Sequence, residues 1–263
     1  MPKEPIDAAA LEAIGSFAAR ALVFLVPGRE KERPAWVASG TPIRTPGGRT
    51  AILTAAHNVE SARREPLRLG YYQCRDRLED VVAAFATHPD ATIDVAAVAV
   101  KREPAAAISD HVLSISAIAV DDEVRSRSDA LLLAGFPARL TQEAWTERLE
   151  ALPLLSLGFI SVTYGTGLQD PPTDEHGRLR VEWGKMDVPD GPPVAMPDPK
   201  GISGGALWRF RNAGPGVWSP GDRGQIIGVP VAWCEHTSTE YVEPVSKWRE
   251  WLLRTLELFD GLP

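Results

Sequence analysis

Hydrophobic positions along this chain fall in short bursts separated by Pro, Gly and charged residues. Only the two ends have a helical period. Over residues 7–19, Leu11, Ile14 and Phe17/Ala18 make a stripe behind Asp7 as a cap. At the other end Ser246 is placed to cap a helix whose apolar face is Trp248, Trp251, Leu252, Thr255, Leu256 and Phe259, stopped by Gly261 and Pro263. That stripe is read as core contact. Between the ends the bursts have strand length. They lie at 20–26, ending at Pro27-Gly28, then at 35–44 and 50–55 as a hairpin about the turn Thr45-Pro46-Gly47-Gly48. Others follow near 66–73, 79–86 and 92–100. Residues 104–128 are poorer in pattern and read as a connector. Strands resume at 130–135, ending at Gly135-Phe136-Pro137, then near 154–164, 178–184, 205–210, 225–233 and 240–245. Residues 186–200, crowded with Pro, Gly and Asp, read as an irregular loop.

Many short strands in two halves predict an all-β protein of two packed β-barrels with a helix at each end. The expected division is a helical extension over 1–19, a first barrel over 20–118, and a second barrel with the closing helix over 119–263. No fixed-period repeat, heptad run or low-complexity tract interrupts this plan. With 263 residues, 44% hydrophobic and 24% charged, the chain can bury a core without metal or disulfide. The 23 Pro and 22 Gly favour turns over long helices. Net charge is -7, and the short basic pairs (Arg63-Arg64, and Arg125 with Arg127) have acids close by. Nucleic acid is therefore not an expected partner. The first residues do not form a signal peptide, and Ala21 to Val26 is too short to span a membrane. The expectation is a cytoplasmic protein with Cys74 and Cys234 as free thiols.

Three local settings carry chemistry. Thr54-Ala55-Ala56-His57 places an imidazole just past a strand, among small neighbours that allow close approach of another backbone. Taken alone, His57 reads better as a satisfied surface or core histidine. Asp94 sits at the lip of the apolar run Val95 to Val100. A carboxylate there is costly unless paired, and an imidazole N–H would satisfy it and fix the tautomer. The alternative is a strand-end cap. Gly201-Ile202-Ser203-Gly204-Gly205 lets the backbone turn sharply and gather N–H groups beside a hydroxyl. It also fits an ordinary glycine-rich turn and the G-x-S-x-G elbow of α/β-hydrolases. That elbow needs the order Ser, acid, His. After Ser203 only His236 remains, with Asp222 between, and the βαβ rhythm is absent. A serine hydroxyl needs a base and a group orienting that base, and here the three follow in the order His, Asp, Ser. His88, His111, His176 and His236 fit no such motif. Cys234-Glu235-His236 lacks partner ligands at metal-binding spacing, so no metal is expected.

Together the three motifs resemble the trypsin/chymotrypsin-like serine proteases over roughly residues 20 to 258. Ala38-Ser39-Gly40 is similar to the bacterial, Deg/HtrA-type branch. The resemblance implies two packed six-stranded antiparallel barrels, with His57 and Asp94 in the first and Ser203 in the second. It implies hydrolysis of a protein or peptide substrate without a cofactor. Ser203 would be the nucleophile, His57 the base and Asp94 its orienter, with the N–H groups of Gly201 and Ser203 as the oxyanion hole. By offset from Ser203, Pro197 and Asp198 would lie near the floor of the specificity pocket, and Val231, Ala232 and Trp233 along one wall. Asp198 would favour Lys or Arg before the scissile bond, or be a solvated loop carboxylate. Trp233 would narrow the pocket or simply pack.

The chain departs from the resemblance beside the serine. Digestive relatives carry an Asp there, paired with a newly cut N-terminus, whereas this chain has Ile202. The expectation is activity that is constitutive or controlled by an activating partner protein that orders loop 186–200. The chain length leaves no room for a PDZ-like module, which suggests a regulatory or defence-associated protease. The other reading is a catalytically silent binding or sensor module.

Overall fold

The computed structural model describes residues 8–27, 37–62, 67–71, 79–80, 82–101, 112–124, 129–137, 162–183, 185–186, 194–195, 198–211 and 224–263. The expectations for 154–161, Cys74, His111 and Pro197 fall outside them.

The first sheet holds β1 (Val23–Pro27), β2 (Ala38–Arg44), β3 (Thr50–Thr54), β4 (Leu67–Tyr71), β5 (Glu79–Asp80), β6 (Val82–Thr87) and β7 (Ala96–Val100), in the order β5-β4-β1-β2-β3-β7-β6. The second holds β8 (Asp129–Gly135), β9 (Val162–Thr166), β10 (Leu168–Thr173), β11 (Leu179–Glu182), β14 (Ala206–Arg211), β15 (Gly224–Cys234) and β16 (Thr239–Pro244), in the order β10-β11-β16-β15-β14-β8-β9. All strand pairings within them are antiparallel. In each sheet the two edge elements are one residue apart in the chain: residue 81 joins β5 to β6, and Gly167 joins β9 to β10. The chain that borders one edge therefore runs on to border the other.

The hairpin turn was legible. Gly48 takes φ +89° and donates to the Thr45 carbonyl at 3.0 Å. Residues 186–200 are not wholly irregular: β12 (Lys185–Met186) pairs with β13 (Val194–Ala195). β10 was missed because Pro171-Pro172 reads as a loop. Proline is tolerated there because the strand is at an edge, with a register irregularity between Leu168 and Thr173.

Helix α1 (Ala8–Arg20) buries Ile14 and Ala18 and sets Phe17 edge-on against Trp208 of the second sheet, ring centroids 5.6 Å apart. Helix α2 (Ala56–Ala62) follows β3. Helix α3 (Val245–Asp260) buries Trp248, Leu252, Thr255, Leu256 and Phe259. Ser246 does not cap it. Pro244 holds that position without a side-chain bond, and Ser246 donates to Asp122 Oδ2 at 2.7 Å. The far end of α3 reaches the first sheet, where Asp260 accepts from Thr45 Oγ1 and, at 2.6 Å, from the Gly47 N–H. Cys234 is a free thiol. Among the described residues no helix is long and apolar enough to cross a membrane.

Candidate active site

β3 ends at Thr54, and the chain turns at once into α2, which carries His57 in its first turn. Asp94 lies just before β7, at the centre of a tight turn in which Val95 N–H donates to the Ile93 carbonyl at 2.9 Å. β3 and β7 are paired through Thr54↔Ala96, so the ends of the two strands bring His57 and Asp94 together. Asp94 Oδ1 accepts the His57 backbone N–H at 2.9 Å, and Oδ2 lies 2.6 Å from His57 Nδ1. The carboxylate thus satisfies an open helix-start N–H and fixes the imidazole at the same time. Burial pushes the Asp94 carboxyl up. Hydrogen bonds and charge from His57, with the Ala56 N–H, outweigh that and hold it below the usual range.

With Nδ1 protonated toward Asp94, Nε2 carries the lone pair that can accept a proton. Ser203 Oγ lies 3.0 Å from Nε2 and 3.3 Å from the Val231 carbonyl oxygen. The His57 side chain is 47% exposed and Ser203 is half-buried.

Two consecutive turns shape the serine loop. Ile202 N–H donates to Pro199 O at 2.9 Å, and Gly205 N–H to Ile202 O at 2.8 Å. The third residue of each turn is a glycine at positive φ, Gly201 at +96° and Gly204 at +88°. This is the type II pattern, which requires glycine there. Ile202 is fully buried and packs onto Gly135, where a Cβ would lie 2.8 Å from Ile202 Cγ2. Among the described residues, the Gly201 and Ser203 N–H groups have no acceptor.

The first sheet locks this loop. Ser39 N–H donates to Ser203 O at 3.0 Å, and Ser39 Oγ donates to Gly201 O at 2.7 Å while accepting the Phe136 N–H at 2.7 Å. Asn58 Nδ2 donates to Ser203 O and to Thr54 Oγ1, both at 3.1 Å, and Thr54 Oγ1 donates to Ser39 O at 2.7 Å.

No protein-family model and no curated protein matches the sequence. Solved structures do match the fold. A serine endoprotease from Yersinia pestis is 16% identical at TM-score 0.54, over 95% of this chain and 68% of that one. The Rv3671c protease of M. tuberculosis in its active form is 15% identical at TM-score 0.52, over 100% of this chain and 92% of that one. The chain has the trypsin-like protease fold. In that fold His57, Asp94 and Ser203 are brought together by strand ends from both sheets.

The expected wall and floor residues are less uniform. Val231 lies against Ser203, Ala232 pairs with Tyr241, and Trp233 pairs with Glu240 while packing edge-on against Trp183 at 6.4 Å. Asp198 turns to Lys200: it accepts the Lys200 N–H at 3.1 Å and pairs with Nζ at 3.3 Å. Its carboxylate is 36% exposed. Asn58 and Thr54 were missed as site residues. The one signal available was their position flanking the histidine, in Thr54-Ala55-Ala56-His57-Asn58. Among the described residues, no three His, Cys, Asp or Glu side chains gather to hold a metal ion.

Proposed function

We propose that the protein is a serine endopeptidase acting through an acyl-enzyme. The observation that carries this reading is the unbroken chain of contacts from Asp94 through His57 to Ser203, at 2.6 and 3.0 Å. Ser203 Oγ adds to the scissile carbonyl carbon as its proton passes to His57 Nε2. The carbonyl oxygen takes the negative charge and is held by the N–H groups of Gly201 and Ser203. His57 then gives the proton to the leaving amine as the C–N bond breaks. Water attacks the ester by the same route in reverse, releasing the acid and restoring Ser203. Asp94 stays ionised throughout and stabilises the imidazolium.

In this reading residues 20–118 supply the base and its acid, and residues 119–263 the nucleophile. Activity is constitutive, because the Ser39 and Asn58 bonds hold the serine loop without an inserted N-terminus and Ile202 offers no charge to receive one. The protein would act in the cytoplasm on protein or peptide substrates.

A fluorophosphonate probe tests this. Covalent labelling of the wild type, absent in Ser203→Ala and His57→Ala, together with Ser203-dependent cleavage of a peptide library, is the expected outcome. A folded wild-type protein that neither labels nor cleaves would make it a silent trypsin-fold binding module.

A further inference from the structure

Glu240 is 2% exposed, and its Oε2 has no hydrogen-bond partner. The register of β16 shows which way it points. Glu240 stands opposite Val181 of β11 and Trp233 of β15, and directly opposed residues share a face. Val242, two residues on, shares that face and lies in the main core cluster. Tyr241 takes the other face, under the Arg178 guanidinium at 4.8 Å. Glu240 therefore points inward, in a row with Val181 and Trp233 and beside Trp183. The row is apolar, and among the described residues no cation pairs with Glu240.

The row adjoins Ser203. Val231 O is 3.3 Å from Ser203 Oγ. Trp233 lies two residues further along β15, roughly 7 Å, and faces Glu240 across the ladder. Glu240 thus stands across the ladder from the second residue beyond the one that touches Ser203 Oγ. Burial alone, with no donor to offset it, pushes the Glu240 carboxyl well above the usual range. A fold gains nothing from an unpartnered buried acid, and glutamine would fill the same space. What glutamine could not do is receive a cation.

We infer that Glu240 reads the residue before the scissile bond, its carboxylate pairing with the cation of a lysine or arginine side chain that enters between Trp233 and the serine loop. This rests on the protease reading and replaces Asp198, whose charge is already engaged by Lys200. Entry of the cation draws the proton off Glu240, so binding tightens as pH rises.

The test separates pocket from chemistry by using Ser203→Ala protein. Binding of n-butylguanidinium and of its neutral counterpart n-butylurea is followed by NMR titration. The expected result is at least a tenfold preference for the cation, growing from pH 5 to 8 and absent after a further Glu240→Gln change. Equal binding of the two probes, no binding of either, or a preference that survives Glu240→Gln would overturn the assignment. In parallel, arginine-like and norleucine-like phosphonate esters are offered to protein with Ser203 intact. Labelling by both at equal rates would sink the Glu240 role and leave the protease. A selective guanidinium site with no labelling by either would keep the pocket and sink the protease.

Discussion

Ser39 Oγ donates to the carbonyl oxygen of Gly201 at 2.7 Å, across 162 residues of sequence, and so joins the first sheet to the loop that carries Ser203. Ser39 Oγ in turn accepts the Phe136 N–H. One hydroxyl thereby fixes the peptide on the far side of Gly201 from its free N–H.

Ser39→Ala leaves the Gly201 carbonyl and the Phe136 N–H without these partners. Orphaned buried groups cost about 1–3 kcal/mol each, so the melting temperature should fall. With its carbonyl released, Gly201 is less tightly held about its own φ and ψ, and its N–H can turn away from a developing oxyanion. A lost oxyanion donor costs about 10²–10³ in rate. The expected result is a fall in kcat of that order or somewhat less, with KM little changed. A rise in KM at constant kcat would mean that Ser39 only shapes substrate binding.

Gly204→Ala tests how closely the two sheets approach. A Cβ there would lie 2.2 Å from both Ser39 O and Thr54 Oγ1, on a residue with φ +88°. Backbone strain and overlap, each about 1–3 kcal/mol, should abolish probe labelling and lower the melting temperature steeply. Gly48→Ala is the control. It has a similar φ of +89° but open space around the Cβ, so it bears strain alone. Equal effects from the two changes would show that the contact with Ser39 and Thr54 is not what holds the loop.

The grouping of His57, Asp94 and Ser203 was legible because each has a local signature. Small residues lead to His57, an apolar run follows Asp94, and glycines surround Ser203. The residues that hold the trio were not, because their partners are remote. Ser39 bonds to positions 97 and 162 residues away, and Asn58 to one 145 away. No window of sequence contains both ends. The alternation in Thr239–Pro244 did carry a hint, since Glu240 has the parity of the apolar Val242. A single acid in a strand is ordinarily taken for a solvent-facing residue, and only the ladder to Val181 and Trp233 shows otherwise. Likewise, helical spacing located α3 but not its start, because Ser246 spends its hydroxyl on Asp122.

Asp94→Asn should leave the fold and the Ser203 position intact but offer an amide in place of an acceptor to His57 Nδ1. The imidazole then favours the tautomer that cannot accept the serine proton, and kcat should fall by on the order of 10⁴. The acid side of stability responds too. The folded-state pKa of Asp94 is lowered, so between that value and the unfolded one the unfolded chain binds more protons. Its contribution is therefore present above the unfolded pKa and lost as pH falls through the folded one. Urea midpoints measured from pH 5 downward should drop less steeply for Asp94→Asn than for the wild type. Parallel curves would show that the His57 contact contributes nothing to the fold.

Glu240 should give the opposite sign. Burial holds its folded-state pKa well above the usual glutamate range. Above about pH 4.5 the unfolded chain has released this proton while the folded one still holds it. The folded state then binds more protons, and stability falls as pH rises until the buried carboxyl ionises. Glu240→Gln removes that titration without changing the shape of the side chain. On a Ser203→Ala background, the variant should gain on its parent in urea unfolding as pH rises above about 4.5, until the buried carboxyl ionises. Saturating n-butylguanidinium should shrink the gain, because a bound cation repays the ionised carboxylate for its burial. A stability difference that is flat with pH would place a hydrogen-bond donor or solvent beside Glu240, and its part in selecting a cation would fall with it.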